Sequence, residues 1–200
     1  MKIEAFTPKY TFGSNMYILT VGEDVAVIDP SVDYNEVKNI LKGTPKYIIV
    51  THAHFDHILA IDSWVKNTDA EVIVGRGDAI ALSDASLNCY LSFYGQNRGY
   101  YGPYRAVCDG EVLTLGDKKM RILETPGHSR GSISVLTDGA LFVGDVVFAG
   151  GGYGRVDLPF GDFTTLLSSI KRLRSLDGNI RVYSGHGAPT DVFEIQQNFI

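Results

Sequence analysis

The stretch YIIVTHAHFDH, Tyr47 to His57, carries the reading of the whole chain. Its first half is a β-branched apolar run, Ile48, Ile49 and Val50, of the kind that forms a strand. That run opens into six positions, His52 to His57, which hold three of the chain's five histidines and an aspartate. The other two histidines also follow strand-like runs: RILETPGH ends at His128 and RVYSGH at His186, while LFVGD ends at Asp145. Side chains that follow strands running the same way gather at one edge of a sheet, so residues far apart in sequence can meet there. Neutral imidazoles and carboxylates are the ligands that Zn(II), Fe(II) and Mn(II) accept. Packed together without a cation they would leave buried polar groups and repelling carboxylates uncompensated. The pattern therefore points to a metal centre, with Gly127 and Gly185 letting the backbone turn just before two of the histidines.

Working outward, strand signals dominate. MYILTV (16–21), VAVID (25–29), KYIIV (46–50), AEVIV (70–74), MRILE (120–124), SISVLT (132–137), ALFVG (140–144) and IRVYS (180–184) are short, β-branched or aromatic, and bounded by Gly, Asp or Pro. The clearest helix follows Asp162, with Phe163, Leu166, Leu167, Ile170, Leu173 and Leu176 at helical spacing and Gly178 beyond its end. Weaker helical patterns cover 35–43 and 58–66. NMYILTVGEDVAVID and SISVLTDGALFVGD echo one another as strand, tight turn, strand, closing on Asp29 and Asp145. Two similar halves packed face to face would put sheets inside and helices outside. Residues 83–108 interrupt the pattern with six aromatics and no sustained period; a long surface loop and a wall or lid over a substrate are both compatible with them.

Composition narrows the class. Two hundred residues suffice for a sizeable core, and 44% hydrophobic with 20% charged residues is ordinary for a globular protein. No apolar run is long enough for a membrane span, and charges at positions 2 and 4 deny the N-terminal stretch the apolar core of a secretion signal, so the expected location is cytoplasmic. A net charge of -5 without a basic run argues against a nucleic-acid footprint, which leaves a small-molecule substrate as the expected partner, with neither nucleic acid nor membrane. Cys89 and Cys108 form no CxxC pair and read as structural thiols.

THAHFDH matches the HxHxDH signature of the metallo-β-lactamase superfamily, and GHSRGS, LFVGD and YSGHG resemble its remaining motifs in order, so the likeness runs from VAVIDP to SGHG. The resemblance implies an α/β fold, a four-layer αββα sandwich with the metal site at one edge of the two sheets, formed by one domain over residues 1–200. By similarity His52, His54 and His128 hold a first metal, Asp56, His57 and His186 a second, and Asp145 bridges them. Asp56 carries an additional catalytic task, orienting the hydroxide or passing a proton. Asp29, in the VIDP landmark, is not a ligand in that family. Thr51, Ser129 and Ser132 flank ligands, either to orient imidazoles or to make plain turns. GRVD (154–157) resembles a GRxD segment of glyoxalase II-like and persulfide dioxygenase-like members; Tyr153 and Arg155 are its candidate substrate contacts, the alternative being Arg155 paired with Asp157 to hold the loop.

Among the branches, flavodiiron proteins resemble HxExD where His54 stands here, and antibiotic-hydrolysing enzymes with a cysteine ligand would differ at Asp145. What remains is similar to glyoxalase II, the hydroxyacylglutathione hydrolases, but only 14 residues follow His186, where glyoxalase II continues into a glutathione-gripping helical region. The implied activity is metal-dependent hydrolysis of a small thioester or related activated ester, hydroxide attacking the acyl carbon and thiolate leaving. The implied cofactors are two divalent ions, zinc first, with iron or manganese as substitutes. The rival reading is a mononuclear Fe(II) persulfide dioxygenase-like oxidoreductase built on His52, His128 and Asp145. Lactone or phosphodiester hydrolysis and a non-catalytic metal-binding scaffold stand further off, the last because no ligand position is missing.

Overall fold

The structure, a computed structural model, describes residues 1–9 and 13–199. Its first half forms one mixed sheet from six strands in chain order: β1 (Lys2–Phe6), β2 (Met16–Val21), β3 (Asp24–Ile28), β4 (Thr44–Val50), β5 (Glu71–Gly75) and β6 (Arg105–Val107). β1, β2 and β3 pair antiparallel, and β3 through β6 pair parallel. The second half forms another sheet from β7 (Val112–Leu115), β8 (Lys118–Glu124), β9 (Ile133–Thr137), β10 (Ala140–Gly144), β11 (Arg181–Ser184) and β12 (Thr190–Asp191), again in chain order. There β10 and β11 are the parallel pair and the other neighbours run antiparallel.

Three apolar clusters show how the layers stack. Along β2, Tyr17 and Leu19 point one way while Met16 and Ile18 point the other, the period of two that a strand imposes. Tyr17, Leu19, Ile28, Ile49 and Ile73 meet Leu113, Met120, Ile122, Val135 and Phe142 between the sheets. Ile18, Val27, Ile48 and Val50 take the outer face and pack on Val37 of α1 (Tyr34–Val37) and on Ile61 and Trp64 of α2 (Ile61–Asn67). On the far side Leu141, Val143 and Val182 pack on Leu166, Ile170 and Leu173 of α4 (Phe163–Arg174) and on Val192 and Ile195 of α5 (Val192–Asn198). The order helix, sheet, sheet, helix is the four-layer sandwich expected. Because both faces of the central strands are buried, they read as continuous apolar runs rather than alternating ones.

The internal echo is real in three dimensions. β2–β3 and β9–β10 are hairpins, the second turning on Asp138 and Gly139 with φ of 41° and 78°. Each hairpin is followed by a helix and then by a strand parallel to its second arm, β4 beside β3 and β11 beside β10. Other expectations need correction. The pattern at 35–43 yields only the single turn of α1, since Val37 alone is fully buried there and so short a helix has little else to hold it. The pattern at 58–66 becomes helix only from Ile61, because Phe55–His57 form a 3₁₀ turn that aims His57 inward. Residues 83–108 contain a short helix, α3 (Tyr90–Tyr94), as well as β6.

Candidate metal centre

Each predicted ligand leaves the end of a strand on the same rim. β4 delivers His52 to His57, β10 delivers Asp145 and β11 delivers His186. β8, antiparallel to β9 as β10 is, runs in the same sense as β10 and delivers His128. All seven residues come together. The ligating atoms of His52, His54 and His128, of His52, His57 and Asp145, and of Asp56, His57 and His186 lie within 4.8 Å of one another in each group. His128 Nε2 is 2.9 Å from His54 Nδ1 and 3.1 Å from His52 Nε2. Asp145 Oδ2 lies 3.7 Å from His128 Nε2 and 3.5 Å from His186 Nε2, so it spans the two groups; Asp56 Oδ2 is 3.1 Å from His186 Nε2.

Partners behind the rings decide which nitrogens face inward. His128 Nδ1 donates to the Arg155 carbonyl at 2.7 Å, and His57 Nδ1 donates to Asp29 Oδ2 at 2.8 Å, which turns each Nε2 toward the centre. Asp29 also accepts from Thr51 N and Thr51 Oγ1, both at 2.7 Å. Having given its proton to Asp29, Thr51 Oγ1 is an acceptor for His52 Nδ1 at 3.3 Å, the orienting role considered for it. Asp29 and Asp145, the two aspartates of the echo, thus stand on opposite sides of the same imidazole, Asp145 Oδ1 being 3.4 Å from His57 Nε2.

A second buried carboxylate went unnoticed in the sequence. Asp78, just after β5, accepts from Ala53 N at 2.9 Å, Ser129 Oγ at 2.7 Å and Gly131 N at 2.6 Å. It ties the backbone between His52 and His54 to the loop that carries His128. Ser129 and Ser132 share a 2.6 Å contact and serve this loop rather than an imidazole. The two glycines before histidines act differently. Gly127 has φ of 128°, whereas Gly185 is required for space, since a Cβ there would collide with Asp145 Oδ1 and crowd His57 Cε1.

Electrostatics differ among the candidate donors. Burial and neighbouring imidazoles hold His52 well below its ordinary pKa and bring His54 down to about 3. Burial opposes protonation of His57 too, but Asp29, Asp56 and Asp145 overcome it and raise the pKa; Asp145 is lowered, burial being outweighed by His57 and the other imidazoles. His54 Nε2, His57 Nε2 and Asp145 Oδ1 are buried with no hydrogen-bond partner among the described residues. Nitrogens of His52 and His54 about 3 Å from that of His128, beside buried carboxylates, suit a divalent cation, which takes imidazole and carboxylate donors of this kind.

A cavity of about 380 Å³ opens over the centre, bounded by His54, Asp56, His128, Asp145 and His186 below and by Phe55, Cys89, Phe93, Phe148, Arg155 and Leu158 around it. The 83–108 segment supplies part of this wall. Tyr90, Phe93 and Tyr94 pack their rings 5.1 to 5.8 Å from that of Phe55, and Asn88 O accepts from Phe55 N at 2.9 Å. Arg155 lies at the cavity, and its guanidinium grips Asp157 through two bonds of 2.7 and 2.6 Å, so the pairing weighed for it is present. Tyr153 is not among the cavity-lining residues; its ring faces Phe163 and Phe199. No described helix is long and apolar enough to cross a membrane.

Comparison with known proteins agrees with this geometry. The family model described as Metallo-beta-lactamase superfamily matches residues 10–186. The chain is 38% identical to the probable metallo-hydrolase YqgX of Bacillus subtilis over 92% of its length and 89% of that protein's. It is 31% identical to the hydroxyacylglutathione hydrolase GloC of Haemophilus influenzae over 96% of its length and 93% of that protein's. Among solved structures, the B3 metallo-beta-lactamase BLEG-1 superposes with a TM-score of 0.90 at 32% identity, covering 98% of this chain and 97% of that one.

Proposed function

The chain belongs to the metallo-beta-lactamase superfamily, and on that footing we propose that it is a binuclear metal-dependent hydrolase acting on a small thioester or related activated ester. The observation that carries this reading is the convergence of all seven donors into overlapping groups, with Asp145 spanning them. His52, His54 and His128 would hold one ion, Asp56, His57 and His186 the other, with Asp145 shared. Divalent ions held there, zinc first and iron or manganese as substitutes, lower the pKa of water toward neutrality and polarise a carbonyl oxygen.

The chain's own residues do the rest. Asp29 and the Arg155 carbonyl fix the rings of His57 and His128 before any substrate arrives. Asp56, at the cavity floor, would orient the attacking water and take its proton. Phe55, Phe93, Phe148 and Leu158 give the approach to the reacting carbon apolar sides. A water oxygen bonds to the acyl carbon as one of its protons passes to Asp56, and the C–S bond breaks with its electron pair leaving on sulfur as a thiolate of pKa near 8.5; of the two water protons, one then ends on the thiol and the other in solvent, leaving a carboxylate. The mononuclear iron alternative is not favoured, because it employs His52, His128 and Asp145 and leaves the close Asp56–His186 pair at the cavity idle. The likeness to hydroxyacylglutathione hydrolase GloC supports thioester cleavage.

Metal content and turnover on a panel of thioesters, a lactone, a phosphodiester and a β-lactam test the proposal together. The expected result is about two ions per chain and thioester cleavage well above the rest, with both turnover and metal lost in His54→Ala. Preferential β-lactam opening would transfer the activity of the similar BLEG-1 structure to this chain instead. A fully loaded protein that turns over nothing on the panel would leave a metal-binding scaffold.

A further inference from the structure

The cavity's walls bear on which acyl group it takes, an inference that rests on the hydrolase reading above. Away from the metal ligands, Phe55, Phe93, Phe148 and Leu158 make the sides apolar, and Arg155 is the one cationic side chain among the described lining residues. About 380 Å³ sits at the small end of the ~300–1,000 Å³ typical of ligand pockets. Arg155 would ordinarily make such a site attractive to a carboxylate. Here Asp157, two residues along, already accepts from Nε and from a terminal nitrogen of the guanidinium. A planar fork filled by one carboxylate has little left to offer a second.

Competition favours the resident acid. The pair is exposed, 54% for Arg155 and 68% for Asp157, so its intrinsic strength is modest. Asp157 is nevertheless tethered next to its partner, and a short tether presents a group at an effective concentration on the order of millimolar or above. A substrate held by its thioester also presents its terminal carboxylate intramolecularly, but it must order a flexible acyl chain to reach the guanidinium, a cost that Asp157, already seated, does not carry. The arrangement also keeps Asp157 ionised, since hydrogen bonding to Arg155 lowers its pKa to about 2.

We infer that the site selects uncharged, apolar acyl groups, and that Asp157 is the specificity-determining residue, masking Arg155 from substrates whose acyl chain ends in a carboxylate. Hexanoyl and adipoyl thioesters of N-acetylcysteamine make a matched pair, differing in that terminal carboxylate on a neutral thiol. The readout is the ratio of their kcat/KM values on the metal-loaded full chain. Wild type should prefer hexanoyl. In Asp157→Asn the ratio should shift toward adipoyl by about tenfold, the size of one charge-assisted hydrogen bond gained, and adding Arg155→Met to that variant should reverse the shift. A merely structural role for Asp157 would lower both values and leave the ratio where it was. Equal or preferred hydrolysis of adipoyl by wild type, or an unmoved ratio in Asp157→Asn, overturns this inference while leaving the hydrolase reading intact. Failure to cleave either thioester while others on the panel are turned over overturns this inference alone, and failure across the whole panel removes both.

Discussion

At the scale of single residues, Asp29 has the largest consequence for its size. It sits at φ of 53°, fully buried, and its carboxylate serves His57, Thr51 N and Thr51 Oγ1 at once. Asn in its place would keep the volume but offer one oxygen where three donors need two. Asp29→Asn is expected to weaken metal binding or turnover by roughly 10- to 100-fold, as loss of a ligand-orienting partner does, and titration of metal into chelator-treated protein measures it. The thiols give a second prediction. Burial, with the Asp56 charge adding to it, pushes the Cys89 thiol up to about 11, while Cys108 is half-buried. Iodoacetamide near neutral pH should therefore label Cys108 first, and Cys89 should react only as the pH rises toward its pKa or the chain unfolds; mass spectrometry after timed quenching reads both. The seven candidate donors were legible as residues because four of them fall within six positions and the other three each follow a strand-like run. Asp29 and Asp78 were not legible as orienting groups, because what each carboxylate touches is set by strands that pair only on folding.

At the scale of elements, α4 is held at both ends, and the anchor at its start also shapes the site. Asp162 caps it by accepting from Thr165 N at 2.7 Å, and Asp162 N donates to Gly127 O at 2.8 Å. A Cβ on Gly127 would collide with the Leu166 backbone, at a φ that L residues avoid. Gly127→Ala should cost about 1–3 kcal/mol or more in urea unfolding and, because His128 is next in sequence, reduce metal content as well. Nearer the other end, Arg172 grips Asp109 at 2.6 and 3.1 Å and holds its carboxyl below the ordinary range. A depressed carboxyl stabilises the fold above the unfolded pKa of ~3.9, and that contribution is lost as the pH falls through the lower folded value. Solvent screening limits it to about 1 kcal/mol or less. Asp109→Asn should lower Tm slightly at neutral pH, with the difference from wild type closing below pH ~4. Strands such as β2, β3, β4 and β10 were readable because both their faces are buried. β1 and β6 were not, since edge strands of mixed polarity owe their state to a neighbour, and the pattern at 35–43 promised more helix than one buried valine can hold.

At the scale of the whole molecule, the fold and the centre draw on different interactions. None of the seven candidate ligands belongs to the three apolar clusters. A chelator should accordingly lower Tm without melting the sheets, leaving the far-UV circular dichroism of the protein unchanged at ambient temperature. Phe142, fully buried between the sheets and ringed by Tyr17 and Tyr183, is the converse case. Phe142→Ala should cost about 3–5 kcal/mol in chemical denaturation. The repeated strand–turn–strand pattern was enough to suggest facing halves. Which aspartate of the pair faces the donor cluster and which braces an imidazole follows from how the halves dock, a fact of the assembled sandwich.

Because every strand of the first sheet precedes every strand of the second, the exposed bend at Asp109–Gly110 is a natural place to sever the chain. One piece would carry His52, His54, Asp56 and His57, the other His128, Asp145 and His186, and each would present a bare inner face that only its counterpart covers. Recovered turnover on mixing two inert pieces would then act as a reporter of their reunion, with hydrolysis as its signal.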